Sequence, residues 1–279
     1  MEQQIIERFP GISCAYRDAE GKETTKCYGV ADKQSNILVD DSTIFPAYSI
    51  SKFVTALCVM KLYEKRLLDI LEGRTSYNNR PVRAEKAQGM EFEYSDAGYC
   101  VLQLLLQEIM HKPFEDVAQE VIFDKLGLKN TFFASTKNIA YFENNKMMIT
   151  GYDGEGLPIP GRFPPFPDLA ASGLWCTPTE LCLIAKEFIA AFNGKSDFLQ
   201  EKTAREMANP LEHFSWTGLG VFVNGKDILM SQGWGECGQC MMKMNCTTEE
   251  IAIVMTNRNP ESDQAESGVE WLVDRKLRV

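Results

Sequence analysis

Ser49 and Lys52 are the side chains in this sequence whose types and spacing most directly suggest chemistry. They stand three positions apart in Ser49-Ile50-Ser51-Lys52, at the start of a strongly apolar run. On a helix, positions i and i+3 share one face, so the lysine amine reaches the serine hydroxyl. An unaided serine is a poor nucleophile, and a neighbouring amine that takes its proton activates it. The tetrapeptide is therefore a candidate nucleophile and base on one local element. Such tetrapeptides also arise by chance, so context must decide. A second candidate is Tyr94-Ser95-Asp96, just ahead of another apolar segment. Its phenol can relay a proton and Asp96 can hydrogen-bond an ammonium, although aspartate is equally a favoured helix N-cap and a tyrosine there is often core.

The elements that must position these groups can be read from pattern. Phe53-Val-Thr-Ala-Leu-Cys-Val-Met60 predicts a helix opened by Ser49 and apolar nearly all round, which belongs inside the fold. Burial there favours the neutral amine of Lys52, the form that accepts a proton. Residues 10–30 read as a hairpin, with Ile12, Cys14 and Tyr16 alternating and Asp18-Ala-Glu-Gly21 as turn. Residues 72–92 predict an irregular connection. Helices are expected over 97–110, 114–125 (stopped by Gly127), 178–192, 198–208 and 264–276. Five prolines, at 158, 160, 164, 165 and 167, interleave with aromatic residues and mark an ordered loop over 151–168. Late in the chain, residues 220–230 predict a hairpin with Asn224-Gly225 as a type I′ turn, and 241–245 and 251–255 form the next one. Hairpin, helices, strands and helix make an α+β pattern whose two ends can share one antiparallel sheet.

Composition narrows the function classes. The 279 residues are enough for one large domain or two intimately packed ones. With 44% hydrophobic and 24% charged residues the chain is an ordinary globular one, neither disordered nor fibrous. A net charge of −10 disfavours nucleic acid or an anionic membrane as main partner. Met1 to Arg8 show neither a basic n-region nor a long apolar h-region, and no window approaches the roughly 18 apolar residues of a membrane span. Nine scattered cysteines fit a reducing cytoplasm, which is the expected location. Cys237-Gly-Gln-Cys240 has C-x-x-C spacing, but a zinc site needs further ligands and only His111 and His213 are available besides other thiols. Structural or incidental thiols are the expectation there.

Taken together, Ser49-x-x-Lys52 and Tyr94-Ser95-Asp96-Ala97-Gly98-Tyr99 resemble a serine hydrolase of the class C β-lactamase and penicillin-binding-protein type, which also holds D-alanyl-D-alanine peptidases and esterases. Phe9-Pro-Gly-Ile-Ser13 and Tyr28-Gly-Val-Ala-Asp32 are similar to that family's opening hairpin. Ala171-Ser-Gly-Leu-Trp-Cys-Thr-Pro-Thr-Glu-Leu181 resembles its glycine-bearing strand-to-helix segment, and Ile253-Val-Met-Thr-Asn257 its late strand. The resemblance runs from about residue 9 to the C-terminus. It implies an antiparallel sheet flanked by helices, formed by 1–46 and 175–279, with an inserted mainly helical domain over 47–174 and the active site at their interface.

Two departures from the family pattern matter. The third motif of the family is Lys-Thr-Gly or His-x-Gly on a strand beside the nucleophile, and the best match here is Gly233-Trp234-Gly235, followed by Glu236-Cys237-Gly238. The basic residue, which in relatives helps hold a substrate carboxylate, is missing, which argues against penicillins and D-Ala-D-Ala peptides. Trp234 would offer an aromatic wall instead, or the segment is a glycine-rich hairpin without chemistry. Asp96 replaces the usual asparagine; its charge favours the ammonium form of Lys52 and shifts the role of base towards Tyr94. The short interval from Lys52 to Tyr94 implies an open cleft.

The resemblance implies acyl transfer without metal or organic cofactor. Ser49 attacks the carbonyl of a small ester, amide or lactam, Lys52 and Tyr94 move the proton, and the backbone N–H groups of Ser49 and Glu236 hold the oxyanion. The competing expectations are a non-catalytic or regulatory binding module on the same fold, and a β-lactamase or peptidase proper.

Overall fold

Along Ile251–Thr256 the side chains alternate between two cores, and that alternation explains the architecture. Ile251, Ile253 and Met255 enter one large apolar cluster, while Ala252 and Val254 enter a smaller one on the opposite face. Successive residues of a strand point to opposite faces, so a strand buried on both must be apolar throughout. All six of its residues are buried. Ile253→Ala there would cost about 2–5 kcal/mol through lost burial and the cavity left behind.

The computed structural model describes residues 1–64, 76–77, 80–81, 91–135, 147–163, 166–225 and 227–277. Its strands in chain order are β1 Gly11–Arg17, β2 Glu23–Asp32, β3 Ile37–Leu38, β4 Phe45–Pro46, β5 Ser76–Tyr77, β6 Arg80–Pro81, β7 Phe132–Phe133, β8 Leu174–Cys176, β9 Phe222–Asn224, β10 Ile228–Gly235, β11 Gly238–Asn245 and β12 Ile251–Thr256. Seven of them form one sheet in the order β3-β2-β1-β12-β11-β10-β9. Each paired neighbour is antiparallel. Because β1 pairs with β12, the two ends of the chain meet at the centre of the sheet, as the α+β pattern predicts. One face is covered by the Pro178–Phe192 helix within the large core, and the other by the helices Glu2–Ile6 and Val269–Asp274 over the smaller core.

β10 is the strand that matters for the site. It pairs with β11 along its whole length but with β9 only over Ile228–Met230, so among the described residues Ser231–Gly235 form an open edge. Against this region packs a 3-10 turn, Tyr48–Ile50, which leads into helix α2, Ser51–Glu64. Helix α3, Asp96–Met110, opens with Ser95 as N-cap, its hydroxyl accepting from Gly98 N at 3.1 Å. A short three-stranded sheet, β4-β8-β7, ties the segment entering α2 to the one entering the Pro178–Phe192 helix, with Phe45 opposite Cys176 and Pro46 opposite Trp175.

Several local expectations change. Ser49 lies ahead of α2 rather than opening it, because Tyr48 takes φ +46° and the chain closes first on Ala47 O. The expected 114–125 helix contains a π turn at Gln119–Phe123. Asn224 pairs with Ile228, so the hairpin expected to turn on Asn224-Gly225 alone has a longer connection. The final helix breaks at Gly268, whose φ is +91° and where a Cβ would fall 2.7 Å from Ile5 Cδ1. The connection expected over 72–92 lies largely outside the described residues, and so does most of the interval behind the expectation of an open cleft.

Candidate active site

Lys52 is almost wholly buried, 5% exposed, and its Nζ sits among three acceptors. It lies 3.0 Å from Ser49 Oγ, 3.0 Å from the Ala171 carbonyl oxygen and 2.6 Å from Asp96 Oδ1. An ammonium has three N–H donors, and here each has a partner. The spacing of three residues thus delivers the contact between amine and hydroxyl even though the serine sits in a 3-10 turn. Asp96, in the first turn of α3, supplies the opposite charge beside Lys52.

The Ala171 carbonyl is held in place from both helices. Thr55 Oγ1 donates to Ala170 O at 2.8 Å, and Ala170 N donates to Gln103 Oε1 at 3.1 Å. Ser51, whose side chain faces away from Lys52, accepts from Leu174 N at 2.9 Å. The segment 169–174 is therefore a backbone brace between α2 and α3, and Ala171 is a site residue that its side chain could not announce.

Tyr94 stands at the mouth, 49% exposed, with its ring centroid 4.8 Å from Lys52 Nζ. Its ring faces the lysine, and its hydroxyl makes no hydrogen bond to Ser49 or Lys52 among the described residues. A second phenol, Tyr99, has its ring centroid 5.6 Å from the same nitrogen. Burial, with a smaller contribution from Tyr94, pushes the Tyr99 hydroxyl up to about 12, so it stays protonated at neutral pH.

The strand expected to bear a third motif approaches at Gly233. A Cβ there would fall 2.6 Å from Ser49 N, 2.8 Å from Tyr48 Cβ and 2.9 Å from Ala47 O, so only glycine fits. Gly235 instead faces the Tyr48 ring, where a Cβ would fall 2.3 Å from Cε1. It packs against the Tyr48–Ile50 turn and is not among the residues that line the cavity. Glu236 lies in the two-residue turn Glu236–Cys237 that joins β10 to β11. Pairs alternate along an antiparallel ladder, and the closing pair Gly235–Gly238 is hydrogen-bonded. Trp234, opposite Gln239, is then in a non-hydrogen-bonded pair, with its N–H on the open edge. The open-edge donor beside Gly233 is therefore Trp234, whereas Glu236, the donor expected from the sequence, lies in the turn beyond the strand. The Trp234 side chain is 54% exposed.

Above these groups opens a cavity of about 420 Å³ lined by Ser49 and Lys52, by Ser231 and Gln232 of β10, and by aromatic residues from two further segments. Phe92 meets Trp216 edge-on at 4.4 Å, Trp216 stacks with Phe222 at 6.1 Å, and Phe222 stacks with Tyr94 at 6.5 Å. Ser231, Gln232, Phe92, Trp216 and Phe222 were not singled out from the sequence. The signal available was the aromatic density around Phe214-Ser-Trp216 ahead of the β9–β10 hairpin. A larger hollow of about 730 Å³ around Asp32, Tyr152 and Arg162 has no serine–lysine pair of this kind.

The C-x-x-C cysteines are free thiols, as are all nine. Burial pushes the Cys237 thiol up to about 12, and Cys240 is raised for the same reason. Such thiols are not reactive near neutral pH.

The family model described as Beta-lactamase matches residues 1–72 and 76–274. The chain belongs to the beta-lactamase family. A beta-lactamase from Providencia stuartii is 22% identical over 193 residues, covering 55% of this chain and 49% of that protein. That match therefore spans about half the length of the relative. Among solved structures, the octameric penicillin-binding protein homologue from Pyrococcus abyssi superposes with a TM-score of 0.79 at 18% identity, over 97% of this chain and 75% of that one. The D-amino acid amidase from Ochrobactrum anthropi, complexed with L-phenylalanine amide, gives 0.72 at 20% identity, over 98% and 94%. These two likenesses establish the shared fold. No helix among the described residues is long and apolar enough to cross a membrane.

Proposed function

We propose that this member of the family is a serine hydrolase that forms an acyl-enzyme on Ser49 with small esters or amides. The observation that carries the reading is the 3.0 Å contact of Lys52 Nζ with Ser49 Oγ at the floor of the cavity. Ser49 Oγ attacks the carbonyl carbon and its proton passes to the Lys52 amine, 3.0 Å away. The tetrahedral oxyanion is held by the N–H groups of Ser49 and Trp234, the latter in place of Glu236. The proton is delivered to the leaving group, with Tyr94 on the cavity side of Lys52 as relay, and the carbon–heteroatom bond breaks. Water then attacks the ester to Ser49 and releases the acid.

The lining supports an apolar, preferably aromatic, substrate group. Phe92, Tyr94 and Phe222 line the cavity, and Trp216 packs against Phe92 and Phe222. Lys52 is the one cation among the described lining residues, and Asp96 already neutralises it. With Gly233 against Ser49, the third motif reads Ser231-Gln232-Gly233, and a hydroxyl stands where relatives carry a basic residue. A carboxylate such as that of a penicillin then lacks a partner. The amidase likeness fits an amide as well as an ester.

The test is intact-protein mass after treatment with a fluorophosphonate, p-nitrophenyl esters of aromatic acids, or a penicillin, with Ser49→Ala as control. The expected result is a fluorophosphonate adduct and ester turnover, both absent in Ser49→Ala. No adduct and no turnover would leave the binding-module reading standing, and rapid penicillin acylation would restore the lactam reading.

A further inference from the structure

Tyr48, the residue immediately before the nucleophile, has a backbone that bulky residues avoid. Its φ of +46° lies in the left-handed region, where an aromatic side chain is an outlier. Such a conformation persists only where the surroundings over-determine it. The surroundings here are the tip of the β10–β11 hairpin. The Tyr48 ring fills a slot left by a missing side chain at Gly235, where a Cβ would fall 2.3 Å from its Cε1 and 2.7 Å from its Cδ1. Phe166 closes the slot edge-on at 5.5 Å. At the far end the Tyr48 hydroxyl accepts from Cys237 N at 3.3 Å and shares a hydrogen bond with Cys237 Sγ at 3.0 Å. Buried within this slot, the hydroxyl remains a phenol, its ionisation pushed well up by desolvation and by Cys237.

One side chain therefore joins the backbone of the Ser49 turn to the turn that ends β10. Those two pieces of chain are the ones that carry the Ser49 and Trp234 N–H groups. At Gly233, between them, a Cβ would fall 2.6 Å from Ser49 N and 2.8 Å from Tyr48 Cβ, so the strand approaches this turn closely. We infer that Tyr48 is a positioning residue: it sets the separation of the two oxyanion donors by bracing the nucleophile turn against the Glu236–Cys237 turn. The inference rests on the proposed role of Ser49. The strain at Tyr48 and the glycines at 233 and 235 then have one explanation. The ring needs the strand bare, and the turn needs the ring.

Tyr48→Phe tests it, because the ring still fills the slot while the bond to Cys237 is lost. The expected result is a cooperatively folded protein whose kcat falls about 10-fold at unchanged KM. Affinity for an arylboronic acid, which forms a tetrahedral adduct on Ser49 with an oxygen in the oxyanion position, should fall by the same factor. Affinity for the product acid should stay as in the wild type. Gly235→Ala, which crowds the ring from the hairpin side, should give the same split and serves if Tyr48→Phe does not fold. A kcat and boronate affinity within twofold of wild type in these variants would overturn the inference, as would an equal loss of product affinity. Backbone hydrogen exchange gives a readout that needs no activity: in Tyr48→Phe, protection should fall together over 47–51 and 231–238. Unchanged exchange at the hairpin overturns the strut. Absence of any Ser49-dependent adduct in the wild type overturns the hydrolase reading instead.

Discussion

Two lysines are buried among the described residues, and they are unlike in use. Lys52 bonds to Asp96, Ser49 Oγ and the Ala171 carbonyl. Lys243, on β11 at the opposite face of the sheet, bonds to Glu270 Oε1 at 2.9 Å and Asp274 Oδ1 at 2.6 Å. Both are nearly inaccessible, both have carboxylate partners, and a hollow adjoins each. Burial, charge pairing and concavity therefore do not separate them. What separates them is the third neighbour. Lys243 spends its donors on two carboxylates of the C-terminal helix and so clamps that helix to the sheet. Lys52 has one carboxylate, and its remaining donors go to a fixed carbonyl and a hydroxyl capable of attack. The lesson is that a buried lysine reads as chemical only when an unspent nucleophile lies within its reach.

This contrast can be broken in order of expected effect. Lys52→Met should lower kcat about 100- to 10,000-fold, the range for a removed general base. It should leave the unfolding transition cooperative; a kcat within tenfold of wild type would put Lys52 in the same class as Lys243. Gly233→Ala forces a methyl towards Ser49 N and should lower kcat about 100-fold in the protein that folds, as for loss of one oxyanion donor. It should also lower stability, because the methyl meets backbone atoms. Equal kcat would mean that β10 does not serve the nucleophile.

Asp96→Asn replaces the carboxylate 2.6 Å from Lys52 Nζ by a neutral amide. That loosens the hold on the amine that takes the Ser49 proton, so kcat/KM with an aromatic ester should rise severalfold. A fall instead would pass the role of base to Tyr94 and leave Lys52 as a fixed cation. Lys243→Met should change kcat by less than twofold and lower stability by about 1–3 kcal/mol, since two half-exposed carboxylates lose a buried partner. Its pH dependence has a definite sign. Burial, the largest influence, works against the charged form of Lys243, but Asp274 and Glu270 outweigh it and its ionisation is raised overall. The stabilisation is then complete below the unfolded lysine value of about 10.4 and is lost as pH rises through the folded value. Urea unfolding at pH 8 and near pH 11 should show the wild-type advantage shrinking at the higher pH. An advantage that grows would show that the clamp is not ionic.

Much of the site was legible because it is local. Ser49 and Lys52 flank the start of α2, and Tyr94 and Asp96 flank the start of α3, so short spacing keeps the members of each pair near one another. Packing of α2 against α3 brings Asp96 to Lys52. The alternation in β1, the apolar run of β12 and the order of elements made the central sheet legible in the same way. The break at Gly268 was hidden, since a lone glycine costs a helix only about 1 kcal/mol and the crowding that demands it comes from Ile5. The cavity wall was hidden too, because Phe92, Phe222, Ser231 and Gln232 converge from separate stretches of chain. No spacing rule connects them.

The third motif marks the boundary most clearly. From residue types alone, Gly233-Trp234-Gly235 was recognisable as a glycine-rich strand end, but not which glycine meets the serine. That register is a property of packing: Gly233 fits against Ser49 N and Gly235 against the Tyr48 ring, so the open-edge donor becomes Trp234 and the cavity-lining pair becomes Ser231 and Gln232. Short-range spacing dictated which groups could react, since local geometry carries that information. Which strand residue faces them was left to the fold, because side-chain volume between segments nearly two hundred residues apart is settled only when they pack.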